Sequence, residues 1–116
     1  MIDWYASHHC AITLQEVRRI ALALPKAVEQ EHWGNPSFRI NGKIFATVPD
    51  EHHVNVMLDP FDVEPVVRDD PETCEELMWG KRLAGVRVSL NHAAPTMVKS
   101  LLEAAWRRKA PKRLLG

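Results

Sequence analysis

Five cations stand in two stretches of this chain where short strands are expected: Arg39 and Lys43 in one, Lys81, Arg82 and Arg87 in the other. Guanidinium and ammonium groups spaced along extended backbone suit the phosphates of a nucleic acid. Each phosphate they neutralise releases counterions, so such binding weakens steeply with salt. Trp33 and Trp79 each precede a glycine beside those stretches. An indole placed there can stack on an unpaired base or close over the edge of a core. A second group, Arg107, Arg108 and Lys109 with Lys112 and Arg113, puts five cations within seven residues. It can grip phosphates as well, or simply complement the negative end of a helix. Solvated surface charge is the competing account of both groups.

Net charge is zero, but it is unevenly spread. Residues 44–79 hold ten acids against Arg68, and residues 80–116 hold nine bases against Glu103. Such an imbalance favours an anionic partner, unless the two segments neutralise each other in the fold. Other chemistries find little support. His8 and His9 before Cys10, and the pair His52 and His53, lack the spacing of a zinc site. Glu29, Glu31 and His32 have no further ligand at a suitable interval, so no metal or cofactor is expected. There is no glycine-rich phosphate loop, nucleophile elbow or recognisable triad. Asp50, Glu51 and His52 share a turn, where solvation is commoner than acid–base work. Acidic neighbours disfavour a thiolate at Cys74. A non-enzymatic protein is therefore expected. Without a leader-like N-terminus or a long apolar run, a cytoplasmic protein with free thiols and no membrane partner is the simplest expectation.

The elements that must position these cations start with a hairpin. Two β-branched and aromatic runs, 37–40 and 43–48, flank Asn41-Gly42, a pair suited to the positive φ angles of a type I′ turn. A two-residue loop would set Ile40 opposite Lys43, Arg39 opposite Ile44, Phe38 opposite Phe45 and Ser37 opposite Ala46. One face then carries Phe38, Ile40 and Phe45 and belongs to the core. The other carries Ser37, Arg39, Ile44, Ala46 and Val48. That second face is where function is expected. It could meet phosphates through Arg39, or serve as the apolar centre of a protein–protein interface or homodimer through Ile44, Ala46 and Val48. A pocket between Trp33, Trp79 and the sheet is a third expectation.

Around the hairpin, residues 1–12 form an extension without clear periodicity. Thr13 and Glu16 make a capping box, and Leu14, Val17, Ile20, Ala21 and Leu24 form the stripe of a helix that Pro25 ends. Residues 26–36 are expected to be a connection. Val54, Val56 and Leu58 alternate with polar partners in a third strand. A short helix from about Val63 to Arg68, with Asp62 as N-cap, keeps Pro65 in a first turn. Residues 72–76 are ambiguous. Val86, Val88 and Leu90 mark another strand. Pro95 opens a last helix with the stripe Met97, Val98, Leu101, Leu102, Ala105 and Trp106, and residues 114–116 are a tail. This order predicts a two-layer α+β fold, an antiparallel sheet of about five strands with helices mainly on one face.

With these pieces in place, residues 13–113 resemble the bacterial MmcQ/YjbR family. The resemblance is carried by the helix Leu14–Leu24, the run His32-Trp33-Gly34-Asn35-Pro36-Ser37-Phe38-Arg39, and Gly42-Lys43-Ile44-Phe45-Ala46. Trp79-Gly80-Lys81-Arg82 before Gly85-Val86-Arg87-Val88 adds to it, as does Ala104-Ala105-Trp106 before Ala110-Pro111-Lys112. It implies a double-wing-like two-layer α/β domain. It also implies DNA as a partner, since members are commonly labelled DNA-binding from that likeness. A flat basic sheet face suits single strands better than a duplex groove, because no helix here has the polar, basic face of a recognition helix.

Overall fold

The computed structural model describes residues 12–115. The expectations for residues 1–11, among them His8, His9, Cys10 and most of the N-terminal extension, lie outside the described residues. Six strands form a single antiparallel sheet, β1 (Val28–His32), β2 (Asn35–Ile40), β3 (Lys43–Asp50), β4 (His53–Met57), β5 (Cys74–Trp79) and β6 (Arg82–Ser89), in the order β1-β2-β3-β4-β6-β5. Among the described residues three helices, α1 (Leu14–Leu22), α2 (Pro60–Asp69) and α3 (Pro95–Lys109), complete the α+β fold, and a short 3-10 turn follows at Lys112–Leu114. Among the described residues no helix is long and apolar enough to cross a membrane.

Helix α1 forms where its capping box places it. The Glu16 backbone N–H donates to the Thr13 hydroxyl at 3.1 Å, and the Thr13 N–H donates to the Glu16 carboxylate at 3.1 Å. Its stripe buries Val17 and Ala21 completely. Helix α3 buries Val98, Leu101, Leu102, Ala105 and Trp106 against the sheet, and the Trp106 indole N–H donates to the Pro25 carbonyl at 3.0 Å, tying α3 to the end of α1. The expected stripes of both helices are thus the buried ones. Apolar side chains of β2, β3, β4 and β6 (Phe38, Ile40, Phe45, Val54, Val56, Val86, Val88) fill the core beneath them.

Three local expectations are corrected or, where left open, resolved. The segment 26–36 is not merely a connection, because residues 28–32 form edge strand β1, paired with β2 from Val28 opposite Arg39 to His32 opposite Asn35. Its Val-Glu-Gln-Glu-His sequence is nearly all exposed and has no apolar alternation to betray it. Trp33 and Gly34 make the turn, with φ of 56° and 84°. A tryptophan seldom adopts the left-handed region, yet the turn that Gly34-Asn35-Pro36 leads one to expect starts one residue early, at Trp33. Second, α2 starts at Asp59-Pro60 rather than at Asp62. The Asp59 carboxylate accepts from the Phe61 N–H at 2.9 Å and Pro60 takes the first turn, which leaves Pro65 inside the helix. Proline there removes a donor to the Phe61 carbonyl. Phe61 is 90% exposed, so water can take that acceptor. Third, the ambiguous 72–76 segment leads into edge strand β5.

The fourth correction changes the functional surface. Asn41 and Gly42, with φ of 54° and 78°, form the expected turn, and Ile40 and Arg39 do pair with Lys43 and Ile44. A bulge then intervenes: Phe38 pairs with Ala46 and Ser37 with Thr47. The extra residue, Phe45, shifts the rest of β3 by one, and a shift of one moves side chains to the other face. Ala46 and Val48 therefore join the core, at 0% and 5% exposure, instead of standing beside Arg39. An interface centred on Ile44, Ala46 and Val48 is not available.

What the bulge leaves on the open face is a polar row across all six strands. Gln30 lies opposite Ser37, Ser37 opposite Thr47, Thr47 opposite Asn55, Asn55 opposite Arg87, and Arg87 opposite Glu75. The Ser37 hydroxyl donates to the Gln30 carbonyl at 2.7 Å, the Asn55 amide to the Thr47 hydroxyl at 3.2 Å, and the Arg87 guanidinium to the Asn55 carbonyl oxygen at 3.0 Å. Among the described residues no buried side-chain nitrogen or oxygen lacks a hydrogen-bond partner.

Candidate functional site

Antiparallel pairing fixes which loops share an end of the sheet. The Asn41-Gly42 turn, the end of β4 at Met57, and the Gly80-Lys81 turn between β5 and β6 all lie at one end. The Trp33-Gly34 turn lies at the other end of β2, roughly 17 Å away for a strand of six residues. Helix α3 ends beside the first group. Together they enclose a groove of about 720 Å³ whose lining includes Arg39, Ile44, Met57, Trp79, Arg82, Arg108 and Lys109.

Two basic groups that are far apart in sequence meet here. Arg39 and Arg82 come from the sheet; Arg108 and Lys109 come from the last turn of α3. Lys43, next to Gly42, belongs with them. Partial burial and then the charges of Arg108, Lys43 and Arg82 hold the Lys109 amine below the usual lysine range, as expected for like charges crowded together. Among the described residues none of these cations has a carboxylate within 4.0 Å; the ion pairs are Arg18–Glu29, His52–Glu51, His53–Asp50 and Arg68 with Glu64 and Asp69. Among the described residues no Lys or Arg of the basic segment 80–116 has a carboxylate of the acidic segment 44–79 within 4.0 Å. The charge imbalance read from the sequence is therefore not cancelled by direct pairing.

The remaining candidates separate. Arg87 is held in the polar row by Asn55 and does not line the groove. Lys81 is exposed at the turn tip near it. Arg107 lies instead by a smaller cavity with Leu24, Pro25 and Trp106, and Lys112 and Arg113 follow in the 3-10 turn. Trp79 lines the groove and is 51% exposed. Trp33 is 89% exposed at the far end, which removes the pocket expected between the two tryptophans. Sequence reading missed Ile44, Met57, Arg108 and Lys109 as members of one site. No local signal joins them, since the pairing of β4 with β6 and the packing of α3 bring them together.

The other chemistry-bearing groups have structural explanations. Asp50 accepts from the His52 N–H at 2.7 Å and contacts His53 Nδ1 at 2.9 Å; its carboxyl is held below the usual range by His53 and by that N–H. That shift moves it away from the neutral values suited to a general acid or base. Burial and Asp70 push the Cys74 thiol up to about 11. No group of three or more His, Cys, Asp or Glu among the described residues could hold a metal ion.

Comparison with known proteins adds one result. A family model described as YjbR matches residues 22–108, which takes in β1 to β6, all of α2 and most of α3. Neither a search of curated proteins nor a search of solved structures gives a match. The matched segment covers well over half of the 116 residues and contains all the groove-lining residues but Lys109, so the chain belongs to the YjbR family.

Proposed function

We propose that this protein is a small non-enzymatic DNA-binding domain, and that it holds the phosphate backbone in the groove at the Asn41-Gly42 end of its sheet. The carrying observation is the convergence of Arg39, Lys43, Arg82, Arg108 and Lys109, drawn from three separate parts of the chain, with no acid among the described residues in pairing distance. Such a cluster disfavours itself in the free protein and gains when a polyanion arrives. Phosphates supply that charge at the spacing of a flexible backbone, and arginine can bind them bidentately. This reading agrees with the DNA partner that the family resemblance implies. It moves the contact from the flat face around Arg87 to the end of the sheet.

The test is a titration of labelled DNA by fluorescence anisotropy at low and moderate salt. Saturable binding that weakens with salt is the expected result. An absence of saturable binding at low salt, or affinity indifferent to salt, refutes the proposal.

A further inference from the structure

Resting on that phosphate-binding reading, we propose further that the groove receives an unpaired nucleobase, which makes its ligand a single strand rather than a duplex. The cations ring a surface that is not itself cationic. Its apolar side chains include Ile44, Met57, Trp79 and Leu83. A duplex turns charged backbone outward and keeps its bases paired, so it would set phosphates against these side chains and bury charge on apolar surface. A single strand presents both chemistries: phosphates for the cations and a base with a π-face for the indole.

The placement of Trp79 supports this. It is directly opposite Arg82 across the β5–β6 pair, so stacking surface and guanidinium share one rung. About half of this large side chain is open. Gly85 lies between Met57 on β4 and Leu77 on β5. Met57 and Leu77 are both buried yet stand apart from the main core cluster, on the opposite face of the sheet from Val56 and Val86. The groove volume, about 720 Å³, is in the range that holds a small organic ligand. A free mononucleotide has one phosphate to offer, whereas the cations gathered here number five; a strand matches them and a mononucleotide does not.

The experiment uses the full chain and three labelled probes of equal length, about ten nucleotides: oligothymidylate, an abasic strand with the same phosphates, and a duplex. Thymidine monophosphate serves as competitor. Expected is binding of oligothymidylate roughly 5- to 150-fold tighter than the abasic strand, the span for one stacked base. Trp79→Ala should erase that difference without changing the salt dependence, and Trp79→Phe should restore most of it. Equal, salt-sensitive affinity for oligothymidylate and the abasic strand overturns the base pocket while leaving the phosphate reading intact. Duplex binding at least as tight as single-strand binding, or displacement by the mononucleotide at strand-like concentrations, overturns it as well. Failure of every probe to bind at low salt refutes both readings together.

Discussion

Replacing Arg82 and Arg108 together by glutamine separates the groove from the flat sheet face as the site of contact, and the size of the effect follows from the count of cations. Four line the groove, Arg39, Arg82, Arg108 and Lys109, and Lys43 is near enough to repel Lys109. If each neutralises one phosphate of a single strand, log K falls against log salt with a slope of about −0.7 per cation, or about −3.5 in all. Affinity then drops roughly 100-fold between about 50 and 200 mM salt. Removing two charges should flatten the slope to about −2.1 and reduce that drop to roughly 20-fold. Glutamine keeps length and polarity, and neither arginine makes a hydrogen bond or ion pair in the free protein among the described residues, so folding should be unaffected. Arg87→Gln is the matched control. Arg87 donates to Asn55 and should leave the slope unchanged while costing about 1.5–3 kcal/mol of stability through the lost charged hydrogen bond. Anisotropy titrations at four salt concentrations measure all three slopes. An unchanged slope in the double variant, or a loss in Arg87→Gln as large as in the double variant, refutes the groove as the site.

Further outcomes follow from particular residues. A methyl group added at Gly85 would overlap the Val56 carbonyl oxygen and crowd the Leu58 nitrogen, so Gly85→Ala should lower the urea midpoint by an amount equivalent to about 1–3 kcal/mol. In a Cys10→Ser background, the buried Cys74 thiol, pushed up to about 11, should resist a disulfide reagent at neutral pH and react only as the protein unfolds. The folded value of Lys109 is lower than its unfolded value, so its charge costs stability at neutral pH, and the cost is relieved as pH rises toward 10.5. Lys109→Gln should remove this alkaline gain, read from thermal midpoints across that range. Bound DNA should raise the value again, visible as a shifted lysine titration by NMR.

Much of the scaffold is legible in sequence because its signals are local. The capping box at Thr13, the stripes of α1 and α3, and Asn41-Gly42 each act through residues a few positions apart. Strand β1 is hidden because an edge strand with both faces wet needs no apolar alternation, and its turn places a tryptophan in the left-handed region. The bulge at Phe45 is hidden for a different reason. The sequence of β3 alternates acceptably in either register, and what decides is the core beneath, which takes Phe45, Ala46 and Val48 together. The same limit governs the site. Arg39 and Arg82 are visible as sheet cations, and Arg108 and Lys109 as a helix end. That they face one groove depends on pairing between β4 and β6 and on the docking of α3, which no spacing in the chain encodes.

The polar row from Gln30 to Glu75 bears on how such a protein can change over time. Its inner members are interlocked, so replacing Asn55 alone strands Thr47 and Arg87, and an acceptable change must alter several distant positions at once. Among the described residues the rim of the groove is tied to that row only through Arg39, whose guanidinium donates to the Ser37 hydroxyl at 3.2 Å. Lys43, Arg82, Arg108 and Lys109 hold no partner among the described residues that would be orphaned by their loss, and Lys81 is exposed at a turn tip. Scaffold and binding surface are thus separable by mutation: drift can retune affinity and preference at the rim one residue at a time while the seam beneath stays put.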